Sequence, residues 1–213
     1  FTEDCVSGRV KITLQKDRPV LLMKHELKAE QNMYVKYLRG PWLKVGEGSF
    51  GAGKDDAILP GVEWLSGAEW SSGSDWFREP WYHKYAPVPN KVSIPCMTLS
   101  KDGMAIGFGW NPVKWATRWF NYRKHFPQPV FAVPNFVDRM NNSLFGLMVP
   151  SATDEHDENQ IYADPPLEMH YGQMVRFDSE IFLCAGNAQD ALSDWVIRHG
   201  LPALPELSLI HIS

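Results

Sequence analysis

Residues 8–15, GRVKITLQ, alternate: Val10, Ile12 and Leu14 fall on one side, and Arg9, Lys11 and Thr13 on the other. A two-residue period of this kind predicts a strand with one buried face. VLLMKHELKA (20–29) and MYVKYLRG (33–40) read as further strands, although the first also fits a short helix. The clearest hairpin is NKVSIPCMTLSKDGMAIGFGW (90–110), two β-rich runs joined by the turn chemistry of SKDG. PVFAVPNF (129–136) and LFGLMVPS (144–151) read as another strand pair, and LEMHYGQMVRFDSEIFLC (167–184) as two strands across HYGQ. One stretch has a different period. NAQDALSDWVIRHG (187–200) places Ala191, Leu192, Trp195 and Val196 on one helical face, with Asn187 as N-cap and Gly200 as the stop. The expected fold is all-β: a large antiparallel β-sandwich with one short C-terminal helix.

Composition narrows the picture. The chain has 213 residues and 44% hydrophobic content, enough for one domain with a sizeable core. Its formal charge of −4 gives no reason to expect a nucleic-acid partner. No apolar run approaches the roughly 20 residues that span a bilayer, so no membrane partner is expected. The three cysteines, Cys5, Cys96 and Cys184, are widely spaced and contain no CxxC pair, which argues against a zinc site or disulfide framework. No metal or other cofactor is called for.

GEGSFGAGK (46–54) superficially matches a phosphate loop, with Gly48, Gly53 and Lys54 in register. Asp55 stands where the hydroxyl residue belongs and no apolar helix follows, so a loop between strands is the better reading. SATDEHDENQIYADPPLE (151–168) has six acidic residues and no Lys or Arg. It lacks the spacing of a calcium-binding loop and reads as an exposed acidic segment, with Glu158 and Asn159 opening the next ordered run.

PGVEWLSGAEWSSGSDWFREPWY (60–82) carries Trp64, Trp70, Trp76 and Trp81 among serines, glycines and acids. Sugars offer apolar C–H faces to flat rings and hydroxyls to carboxylates, amides and Arg. Trp70, Asp75, Trp76, Arg78 and Trp81 are therefore the candidate ligand-binding residues. Glu63, Glu69 and His83 are candidates for acid–base work, which would require two such groups to converge. Asn111 and the downstream Trp110, Trp115 and Trp119 extend the set. Trp64 and Trp110 each end an apolar run and are expected in the core, with Trp70, Trp76 and Trp81 nearer the surface.

Several motifs in order carry a family likeness: GKDDAILPGVEWLSGAEWSS (53–72), PNKVSIPCMTLSKDGMAIGFGW (89–110), VPNFVDRMNNSLFGLMVPS (133–151), Glu158–Asn159, and HGLPALPEL (199–207). Together they resemble a β-sandwich domain of large bacterial proteins that also carry an α/α helical-barrel domain. That sandwich is similar in kind to the galactose-mutarotase-like supersandwich of polysaccharide lyases and glycoside hydrolases. The resemblance covers most of 8–206 and carries over no catalytic residue. It implies an extracellular or periplasmic location and a domain, 1–206, cut from a longer protein. The last residues, LSLIHIS (207–213), resemble translated adapter sequence and are expected to be non-native.

Three functions fit these residues. The first is binding or positioning a polysaccharide or oligosaccharide, in a cleft completed by the helical barrel. The second is catalysis as a glycoside hydrolase, polysaccharide lyase or sugar epimerase. The third is a purely structural role in docking the barrel.

Overall fold

A computed structural model describes residues 2–3, 5–46, 53–71, 85–112, 117–118, 124–152, 158–160, 162 and 166–201. Its strands are, in chain order, β1 (Thr2–Glu3), β2 (Val6–Leu14), β3 (Val20–Ala29), β4 (Met33–Val35) and β5 (Leu38–Val45). Then come β6 (Asp56–Leu59), β7 (Glu63–Ser66), β8 (Cys96–Lys101), β9 (Met104–Trp110), β10 (Thr117–Arg118) and β11 (Lys124–His125). The last are β12 (Gln128–Ala132), β13 (Ser143–Val149), β14 (Leu167–Met169) and β15 (Met174–Ala185), followed by helix α1 (Ala188–His199). The main sheet has the order β1-β2-β3-β15-β9-β8-β6-β7, and a second sheet has the order β12-β13-β5. All strand pairs are antiparallel. The fold is the expected antiparallel sandwich, with one α-helix among the described residues, Ala188–His199.

The core lies between the two sheets, where Met97, Phe108 and Phe177 of the main sheet meet Phe131, Phe145 and Leu147 of the second. Phe131 and Phe145 stack with centroids 5.5 Å apart. Strands β12 and β13 are buried on both faces, because Val130, Ala132, Leu144 and Met148 form a further apolar cluster behind them. This explains their continuous apolar reading.

Helix α1 packs on the opposite face of the main sheet, and Ala191 and Trp195 join Val20, Cys96, Ala105 and Phe182 there. Its N-terminus has the capping box that Asn187 foreshadows: Asn187 Oδ1 accepts from the Asp190 N–H at 2.9 Å, and Asp190 Oδ2 from the Asn187 N–H at 2.8 Å. Gly200, at φ 78°, ends the helix and donates its N–H to Val196 O. The β8–β9 turn uses Asp102 and Gly103 at φ 51° and 76°, the left-handed backbone its sequence favours.

The two strands expected across HYGQ are β14 and β15; β14 pairs with β4, while β15 lies between β3 and β9. Two expectations are corrected. The apolar side of β2 is not buried, since Val10, Ile12 and Leu14 are all exposed. Trp64 is not core: it is 59% exposed, because Glu63 and Leu65 take the inward side of β7 and Trp64 the outward side. Trp110 is buried at 6% exposure, as expected. Glu158 and Asn159 pin the segment before β8. The Asn159 side-chain oxygen accepts from the Ala86 N–H at 3.1 Å, and Glu158 takes the Val88 N–H at 2.7 Å and the Lys91 ammonium at 2.6 Å. Residues 207–213 lie outside the described residues.

Asp138 ties the second sheet to the β12–β13 connection. Its carboxylate accepts from Trp42 Nε1 at 2.9 Å and Asn135 Nδ2 at 3.3 Å, with Arg39 at 3.3 Å and Lys44 at 3.7 Å. Burial works to raise its pKa, but the Trp42 and Asn135 hydrogen bonds and the two cations outweigh burial and hold it below the ordinary value. A lowered carboxyl pKa stabilises the fold above the unfolded value, and that contribution is lost as pH falls through the folded value. Asp138→Ala should therefore cost about 1–3 kcal/mol near neutral pH, the range for a hydrogen bond that leaves buried partners unsatisfied. Urea melts of the two proteins should converge in acid; a pH-independent gap would contradict this.

Candidate functional site

The β6–β7 hairpin and the residues after it build a surface cleft of about 380 Å³, lined by Lys54, Gly67, Glu69, Trp70 and Pro134, among others. Its floor is held by an unusual lysine. Lys54 is only 8% exposed, and its ammonium donates to the carbonyls of Gly67 and Glu69, both at 2.6 Å. Burial lowers its pKa, and Glu69 and Asp56 act in the opposite direction. The lysine of the near-miss phosphate loop is thus a clamp on the 67–69 turn.

That clamp fixes the two residues that follow. Glu69 Oε2 accepts from the Ser66 N–H at 2.7 Å, closing a turn at the end of β7. Trp70 is next and remains 54% exposed on the cleft wall. Ser71 returns the chain to the sandwich: its N–H donates to Val133 O at 2.7 Å, and its hydroxyl to Glu63 Oε2 at 2.6 Å. Glu63 is thereby engaged with a buried serine, and Glu69 with the backbone of its own turn. The structure brings Glu69 and Trp70 together in one cleft. The other candidates, Asp75, Trp76, Arg78, Trp81 and His83, lie outside the described residues, as do Trp115 and Trp119.

A second cleft, about 320 Å³, opens where β9 ends against β15 and α1, lined by Trp110, Asn111, Asp178, Glu180, Trp195 and His199, among others. Sequence reasoning singled out Trp110 and Asn111 but missed Asp178, Glu180 and His199, which are distant in sequence and carry no motif. Here the rings are spent on packing: Trp110 and Trp195 are each 6% exposed, and Trp195 stacks on His199 at 4.7 Å. The Glu180 carboxylate is engaged as well. Glu180 Oε1 accepts from Arg198 Nη1 at 2.7 Å and lies 3.0 Å from His199 Nε2. This cleft has the marks of a structural joint, whereas the first presents an uncovered indole beside an exposed carboxylate.

No family model matches the chain. No curated protein matches it in sequence. Two solved structures share part of its shape. One is a "putative aldose 1-epimerase" from Klebsiella pneumoniae, at 9% identity and a TM-score of 0.44, over 93% of this chain and 52% of that one. The other, also a "putative aldose 1-epimerase", is from Escherichia coli K12, at 9% identity and a TM-score of 0.31, over 87% of this chain and 67% of that one. The chain thus spans about half the length of the first of these proteins.

Proposed function

We propose that this chain is a carbohydrate-associated β-sandwich domain that binds a polysaccharide or oligosaccharide at the Lys54–Trp70 cleft. The observation that carries the reading is Trp70, a half-exposed indole on the wall of a cleft, next to a carboxylate fixed by its own turn. A flat apolar face suits the C–H face of a sugar ring, and the Glu69 carboxylate suits its hydroxyls. The engagement of Glu63 with Ser71 favours binding over acid–base chemistry by a Glu63–Glu69 pair.

Trp70→Ala should leave stability within about 0.5 kcal/mol, as for an exposed side chain away from the core. The same change should abolish retardation in native gels containing a soluble polysaccharide that retards the wild type. The panel should include neutral glucans, galactans and uronic-acid polymers. A wild type retarded by none of them would overturn the reading, as would a Trp70→Ala protein retarded as strongly as the wild type.

A further inference from the structure

The backbone of β2 has a determinable phase. Its pairing with β3 runs Val6↔Ala29 to Leu14↔Leu21, and the flanking bonds Gln15 N–H to Val20 O and Glu30 N–H to Cys5 O, both 2.9 Å, extend that register. In an antiparallel ladder, hydrogen-bonded pairs alternate with non-bonded ones. The odd-numbered residues of β2 therefore bond β3, and Val10, Ile12 and Leu14 turn N–H and C=O to the outer edge. Strand β1 pairs with β2 only at Val6 and Ser7, and no other described strand pairs along this edge. The same three residues expose their side chains, at 46%, 60% and 66%.

They do not stand alone. The β3, β15 and β9 registers put Leu21, Leu183 and Met104, all exposed, on the same face of the main sheet. Such a contiguous apolar area, on the order of several hundred Å², marks an interaction surface. On its other face the edge strand presents Arg9 and Lys11, in a chain whose net charge is −4. Arg9 and Arg176 share the single carboxylate of Glu26. Lys11 and Lys24 stand directly opposite each other, and Lys24 in turn stands opposite Asp178 of β15. Strand β2 itself carries Arg9 and Lys11 and no acidic residue, and like charges placed opposite one another, as Lys11 and Lys24 are, are destabilising.

We infer that the β2 edge accepts an extended strand of a partner polypeptide in which apolar and acidic residues alternate. The added backbone pairs with Val10, Ile12 and Leu14. Its apolar side chains continue their row, and its carboxylates face Arg9 and Lys11. A second copy of this chain is a poor occupant, because β2 against β2 would bring two Arg9–Lys11 rows together.

The test uses fluorescence anisotropy with a labelled, end-capped peptide of about ten residues, the length of a long strand, alternating valine and glutamate. A valine–lysine peptide and a backbone N-methylated valine–glutamate peptide serve as controls. Only the unmodified valine–glutamate peptide should bind. Lys11→Glu should weaken it by roughly tenfold or more, about 1.4 kcal/mol. Ile12→Glu should do the same, with thermal melts confirming that each variant is folded. Equal binding of both charge types, or no saturable binding of the valine–glutamate peptide, overturns the proposal. So does a sedimenting dimer that Ile12→Glu converts to monomer, which would assign the edge to a second copy.

Discussion

Glu180→Ala should destabilise the protein by about 3–5 kcal/mol, the cost of leaving a buried charge without its partner. Glu180 projects from β15 toward α1, and its side chain and that of Arg198 are each 7% exposed. Arg198 reaches Glu180 at 2.7 Å and Asp194 at 2.8 Å, and its guanidinium lies over the Phe182 ring at 4.3 Å. Burial alone would lower the Arg198 pKa; hydrogen bonds to the two carboxylates reverse that effect and raise it. Without Glu180 the one carboxylate left to the cation among the described residues is that of Asp194, whose side chain is 43% exposed. The control is Glu180→Met with Arg198→Met, which removes both charges and keeps the volume. Replacement of a buried pair by packed apolar residues is often near neutral, so the double variant should be more stable than Glu180→Ala. Urea melts decide the matter. A single-variant loss under about 1 kcal/mol, the scale of an exposed pair, would mean that the pair does not hold the helix to the sheet.

Gly107→Val should destabilise the fold by about 3 kcal/mol or more, at the upper end of overpacking costs. A Cβ at position 107 would sit 2.0 Å from Phe182 Cζ, and Phe182 is 1% exposed. At Gly109 a Cβ would lie 2.3 Å from Trp195 Nε1. With Ala105, these glycines leave β9 without bulky side chains where the Phe182 and Trp195 rings pack close to it. Phe182→Ala alone should cost about 3–5 kcal/mol through its cavity. Added to Gly107→Val, it should cost less than the sum, because the new side chain occupies the vacated space. Strict additivity in calorimetric or denaturant melts would contradict the contact.

The glycines show how the sequence can mislead. MAIGFGW reads as a strand with weak positions, since Gly is a poor strand residue. Only the placement of Phe182 and Trp195, some 75 and 86 residues from their glycines, shows why a side chain is excluded there. The candidate site was legible in part for similar reasons. Trp70 stood out because a large ring among Ser, Gly and Glu cannot alternate into a core. The role of Lys54 was hidden, because its acceptors are main-chain carbonyls that any residue would supply. Glu180 and His199 were hidden because a carboxylate in one apolar run and an imidazole at a helix end become neighbours only when α1 folds back on β15.

By itself, the sequence determined what depends on neighbours a few residues apart. Alternating or continuous β-rich runs set the strands, Asp102–Gly103 set the turn of the β8–β9 hairpin, and Asn187, Asp190 and Gly200 set the limits of the helix. Each is a local backbone or capping preference that acts wherever the segment sits. The tertiary structure alone decided which strands became neighbours and which apolar faces were covered. Alternation marks a face as apolar but does not name what covers it. Val10, Ile12 and Leu14 share their pattern with buried strands and remain exposed, while Trp64 closes an apolar run and faces outward. Burial is a property of the partner surface as much as of the residue, and that surface is assembled by contacts between segments far apart in the chain.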